Sequence, residues 1–126
     1  VAVQLNHTLV NVRDKEESAS FVAEILGLAE PTPYGPFLVV QVANGVSLDF
    51  IEVDVLHPQH YAFLVDPKEF DEILARIRGR GLTFWADPFK KRTGEWNTDD
   101  GGQGLYWEEP SGHLLEIITR PYGSSD

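Results

Sequence analysis

At 126 residues and 14.1 kDa, the chain is sized for one domain, or for two small units sharing a core. It has no cysteine, which excludes a disulfide framework, a thiolate nucleophile, zinc-finger ligation and iron–sulfur ligation. Twenty acidic against ten basic residues give a net charge of −10, which repels phosphate backbones and argues against nucleic acid as a partner.

The predicted elements begin with a β-branched strand over residues 3–12. Asp14 is placed to cap a helix, with Glu17 three residues on completing a capping-box pattern. Phe21, Val22, Ile25 and Leu26 share one face of that helix, and Gly27 is a natural stop. Pro31, Pro33, Gly35 and Pro36 read as a turn-rich connection. Two strands, 37–43 and 46–53, flank an Asn44-Gly45 hairpin turn. Residues 54–59 read as a linker.

The order then repeats. Residues 60–65 read as a strand, and Asp66-Pro67 with Glu69 opens a second helix. Phe70, Ile73, Leu74 and Ile77 stand at i, i+3, i+4 and i+7, the spacing of a helix that packs on a sheet. Gly79 and Gly81 end it. Short strands follow at 82–86, 105–108 and 113–119, with a long, polar, glycine-rich segment at 87–104. That segment reads either as a lid, with Trp96 over an apolar substrate, or as a mobile surface loop with Trp96 packed at the rim. The residues from Pro121 read as a frayed tail. No apolar run approaches the ~20 residues of a membrane span. No signal peptide is expected, since the N-terminus lacks a basic region followed by an apolar stretch. A cytoplasmic protein with no membrane partner is the expectation.

Each half therefore reads strand, helix, then strands. His7 and His60 stand 53 residues apart, each on the first strand of its half. Residues 44–51 (NGVSLDFI) line up with 111–118 (SGHLLEII) at an offset of 67, sharing a polar-Gly-x-x-Leu-acid-apolar-Ile pattern. Strand alternation puts His7 with Leu5 and Leu9, opposite Thr8, Val10 and Val12. By the same rule His60 sits opposite Tyr61, Phe63 and Val65. Asp49 points away from Leu48 and Phe50, and Glu116 away from Leu115 and Ile117. Two histidines and two carboxylates thus project from the sheet face away from the helices. Two imidazoles with one or two carboxylates suit Fe(II), Mn(II), Zn(II) or Ni(II), and a three-ligand set leaves positions open for substrate. A carboxylate in an apolar strand such as 114–118 needs a metal, a partner or water, because burying an unpaired charge is costly.

These residues resemble the vicinal oxygen chelate superfamily, which includes glyoxalase I, extradiol dioxygenases, fosfomycin-resistance thiol transferases and bleomycin-resistance proteins. The resemblance runs from Leu5 to Thr119 and is carried by Asn6-His7-Thr8-Leu9, by 21–28 (FVAEILGL), by 60–65, and above all by 106–117 (YWEEPSGHLLEI). It implies an α+β fold of two βαβββ modules, about 3–54 and 60–120 within a single domain 1–126. The modules would form a cupped mixed sheet with helices on the outer face. It implies that His7, His60 and Glu116 bind the metal and that Asp49 stands where glyoxalase I carries a fourth, glutamate ligand. Tyr106, ten residues before Glu116, resembles the tyrosine that extradiol dioxygenases place near the substrate oxygen. The acid–base histidine of that group has no clear counterpart, since His57 and His113 are the remaining histidines. The fosfomycin-resistance pattern expects threonine where Leu9 stands, and Lys90, Lys91 and Arg92 do not match its cation-binding pocket.

The function expected is a divalent-metal-dependent enzyme that chelates adjacent oxygens of a small substrate, dioxygenase-like or glyoxalase/lyase-like. Tyr106 and Glu116 are its expected catalytic residues, with Asp49 or Glu116 as general base when off the metal. The alternative is a metal-free drug-binding protein of the bleomycin-resistance kind. A homodimer is expected by resemblance.

Overall fold

Strand β1 (His7–Val12) alternates between exposed and buried residues, with Val10 and Val12 inside and His7, Leu9 and Asn11 outside. The computed structural model to which it belongs describes residues 2–124. β1 is shorter than the predicted strand. Its parallel partner β4 (Ser47–Glu52) begins only at Ser47, after the Asn44-Gly45 turn, so residues before His7 have no strand to pair with. Val3 and Leu5 are accordingly exposed.

Helix α1 (Lys15–Leu26) starts where the Asp14 carboxylate accepts the Glu17 N–H at 3.1 Å, and it stops at Gly27 in the left-handed region, φ 72°. It buries Val22 and Ile25 as the spacing predicts, along with Ser18, Ala19 and Ala23. The turn-rich stretch 31–36 contains an unpredicted edge strand, β2 (Thr32–Tyr34), antiparallel to β3 (Phe37–Gln41). Pro33 is tolerated there because an edge strand has one side without ladder partners. The four strands order β1-β4-β3-β2, and α1 packs on β3 and β4.

The second unit, which begins at Pro58, repeats this plan. It runs β5 (His60–Leu64), α2 (Pro67–Gly79), β6 (Phe84–Trp85), β7 (Gly104–Glu108) and β8 (Leu114–Ile118), ordered β5-β8-β7-β6. α2 opens on a complete capping box. Asp66 accepts the Glu69 N–H at 2.7 Å, and Glu69 accepts the Asp66 N–H at 2.9 Å. Its apolar face buries Phe70, Ile73, Leu74 and Ile77, and the sheet contributes Leu105, Trp107, Leu115 and Ile117 to the core. The duplicated topology carries duplicated register. Leu9, two residues after His7, pairs with Asp49, and Ala62, two residues after His60, pairs with Glu116. The chain is thus a two-module α+β protein of two four-stranded mixed sheets. Among the described residues, no helix is long and apolar enough to cross a membrane.

Candidate metal centre

The first and last strands of the second unit lie side by side and in parallel, and this brings His60 to Glu116. His60 Nε2 is 2.9 Å from Glu116 Oε1. Glu116 is 1% exposed, although it points away from the helix, because His60, Tyr106 and Tyr122 surround its carboxylate. Among the described residues it has no lysine or arginine partner. Its contacts are His60, the Tyr122 hydroxyl at 2.7 Å from Oε1 and 2.9 Å from Oε2, and Tyr106. Tyr106 pairs across the ladder with Glu116, and its ring stacks on His60 with centroids 5.8 Å apart.

The second nitrogen of His60 fixes what the first can do. Nδ1 lies 3.1 Å from the Leu114 carbonyl, which only accepts, so Nδ1 carries the ring proton. Nε2 of a neutral imidazole then presents a lone pair to a carboxylate oxygen. Two acceptors facing each other need a cation: either a second ring proton, or a metal ion bound to both. A backbone carbonyl holding the far nitrogen of a metal-binding histidine is a common outer-shell arrangement. Metal–nitrogen and metal–oxygen bonds of about 2.1 Å meeting near a right angle leave their donor atoms about 3 Å apart. His60 Nε2 and Glu116 Oε1 have that spacing, so the donor pair fits a divalent metal.

The first unit holds a matching half-set. His7 Nδ1 is 2.7 Å from Asn6 Oδ1, which leaves Nε2 free in the same sense as in His60. Asp49 is 9% exposed and accepts the Ser47 hydroxyl at 2.8 Å. His7 and Asp49 line one cleft of about 470 Å³, with Leu9, Tyr34, Phe37 and Val39 as its apolar wall. The structure therefore brings His7 together with Asp49, and His60 together with Glu116 and Tyr106. Among the described residues, no three histidine or carboxylate side chains are grouped to hold one metal ion.

The remaining candidates resolve differently. His113 is fully buried, accepts the Gln59 N–H at 2.8 Å on Nδ1, and meets Tyr61 edge-on, so it ties backbone and core together. His57 is exposed ahead of the second unit. The segment 87–104 is fastened rather than lid-like. Buried Asn97 donates to the Ala86 carbonyl at 2.8 Å and exchanges backbone hydrogen bonds with Gly104. Trp96 lies 6.0 Å from the Arg78 guanidinium of α2, which also covers Phe84, so Trp96 flanks the helix.

Tyr122 is the site residue that sequence reasoning missed. The tail 121–124 is folded, not frayed, and residues 125–126 lie outside the described part. The signal was the Pro-Tyr-Gly-Ser order, a turn with glycine at its third position. The tyrosine hydroxyls keep their protons. Burial, then the hydrogen bond to Tyr122 and the charge of Glu116, push Tyr106 well above the usual phenol range. Desolvation and the bond to Glu116 push Tyr122 upward too.

No protein-family profile matches the chain. The solved structure of Oxidase ChaP-H1 is 62% identical and superposes with a TM-score of 0.95, covering 98% of this chain and 100% of that one. Glutathione transferase FosA of Serratia marcescens is 29% identical over 120 residues, 90% of this chain and 78% of its own length. Metallothiol transferase FosB of Shouchella clausii is 25% identical over 121 residues, 91% of this chain and 79% of its own length.

Proposed function

The chain belongs to the vicinal oxygen chelate superfamily, and from that footing we propose that it is a divalent-metal-dependent enzyme oxidising a small organic substrate that carries two adjacent oxygens, with dioxygen as the oxidant. The observation that carries the metal is the buried carboxylate of Glu116, set 2.9 Å from a histidine nitrogen whose other nitrogen is already tied. His60 Nε2 and Glu116 are two of the ligands. His7 is the third, and Asp49 stands by it as a fourth donor, through oxygen. Pairing of a first module with a second, within one chain or across a homodimer, completes the set. The donors are nitrogen and oxygen only, which suits Fe(II), Mn(II), Zn(II) or Ni(II).

The oxidative branch is favoured over the lyase branch by the relative named as an oxidase. When bound, the metal supplies Lewis-acid polarisation of neighbouring substrate oxygens. The protein does the rest. Tyr106 pairs across the ladder with Glu116 and stacks on His60, which places its hydroxyl beside the metal ligands to donate a hydrogen bond to a substrate oxygen. The apolar wall of Leu9, Tyr34, Phe37 and Val39 takes the carbon skeleton and excludes water around it.

Calorimetric titration of metal-free protein with Mn(II) tests the ligand set. Wild type takes up about one ion per chain. His7→Ala, His60→Ala and Glu116→Gln each weaken binding by at least ~100-fold, the upper end of what even outer-shell changes cost. Unchanged affinity in His60→Ala or Glu116→Gln would sink the reading.

A further inference from the structure

The C-terminal turn is built to deliver one hydroxyl. Ser124 donates to the Pro121 carbonyl through its N–H at 3.2 Å and its hydroxyl at 2.6 Å. Gly123, at φ 79°, occupies the position where a type II turn requires a positive φ. Its N–H donates to Asp100 Oδ1 at 3.1 Å, which fastens the turn to the loop before β7. The Tyr122 between them is 66% exposed, so its ring gains little from packing. Its hydroxyl nevertheless reaches both oxygens of a carboxylate that is 1% exposed. Tyr106 pairs across the ladder with the same Glu116, so both tyrosines border this carboxylate.

Resting on the reading of Glu116 as a metal ligand, we propose that Tyr122 is a positioning residue for the metal centre. Its hydroxyl holds the Glu116 carboxylate in the orientation that presents Oε1 to His60 Nε2. An ionised carboxylate has about four lone-pair directions and can swing between binding through one oxygen and through both. A donor anchored across its two oxygens restrains that swing and leaves the His60 side of Oε1 to the metal. Hydrogen bonds of this kind to ligating groups are worth roughly 10–100-fold in metal affinity.

Metal-free wild type, Tyr122→Phe and His60→Ala are titrated with Mn(II) by calorimetry and with Co(II) by visible absorption. The phenyl ring of Tyr122→Phe keeps the exposed packing, and an unchanged thermal midpoint confirms the fold. Tyr122→Phe is expected to weaken Mn(II) binding about 10–100-fold and to shift the Co(II) ligand-field bands, as Glu116 changes its mode of binding. If Tyr122→Phe matches wild type in affinity and spectrum while His60→Ala still loses the metal, the positioning role is overturned and the ligand reading stands. If His60→Ala binds as well as wild type, both are overturned.

Discussion

Glu116 is buried and, among the described residues, has no lysine or arginine on its carboxylate, and its neighbours are chosen accordingly. His60 faces one oxygen, two tyrosine hydroxyls cover the carboxylate, and the Leu114 carbonyl fixes the histidine tautomer. A half-buried group of the same unit shows how such surroundings register in stability. The Tyr61 hydroxyl has its pKa raised by burial and by the nearby charge of Glu109. The folded chain therefore binds that proton more tightly than the unfolded chain, whose tyrosines titrate near about pH 10. Its contribution to stability is complete below that pH and is lost as pH rises further. Urea unfolding midpoints are expected to fall as pH rises from about 10 to about 11.5, and less steeply in Tyr61→Phe. Equal slopes would contradict the assignment. At this scale the strand alternation made His7, His60, Asp49 and Glu116 legible in the sequence, because a period of two assigns faces without knowing the fold. Tyr122 was not legible by that route. Its contact with Glu116 depends on a turn anchored by Asp100, and no periodicity marks that turn.

The helices were legible almost in full because each announces its start chemically and its face by spacing. All four apolar residues read for α2 are buried, and its Asp66–Glu69 box closes in both directions. Asp66→Ala removes the side-chain acceptor for the Glu69 N–H and is expected to cost about 1 kcal/mol. That is a fall in the thermal midpoint of roughly 3–6 °C for a chain of this size. Glu69→Ala, which removes only the return bond, is expected to cost less. A null result for Asp66→Ala by calorimetric unfolding would show that tertiary packing alone sets the start of α2. Edge strands were less legible. β2 hides under three prolines that read as turns, and an edge position is where proline costs least. The N-terminal strand was over-read because β-branched residues 3 and 10 look alike in sequence, whereas pairing depends on where β4 begins. The 87–104 segment misled in the opposite direction. Its glycines read as mobility, but Asn97 and Asp87 fasten its backbone, with the Asp87 carboxylate accepting from the Arg92 N–H at 2.8 Å.

Over the whole molecule, the duplicated pattern seen at offsets of 53 and 67 is a duplicated topology with one register. Each module carries a histidine on its first strand and a carboxylate on its last, which is the half-set that the proposed metal site draws on. The absence of cysteine then acquires a meaning, since every ligand available from this chain is a nitrogen or oxygen donor. Two of the negative charges in the net −10, Asp49 and Glu116, are buried at the sites rather than spread on the surface. The most direct measurement of the metal claim is an anomalous difference map from crystals grown with Mn(II). The predicted result is one strong peak per chain within about 2.2 Å of His60 Nε2 and a Glu116 oxygen, with His7 as the third protein donor, from the same chain or a second copy. A map with no peak at Glu116, or with the ion held elsewhere, would contradict the account.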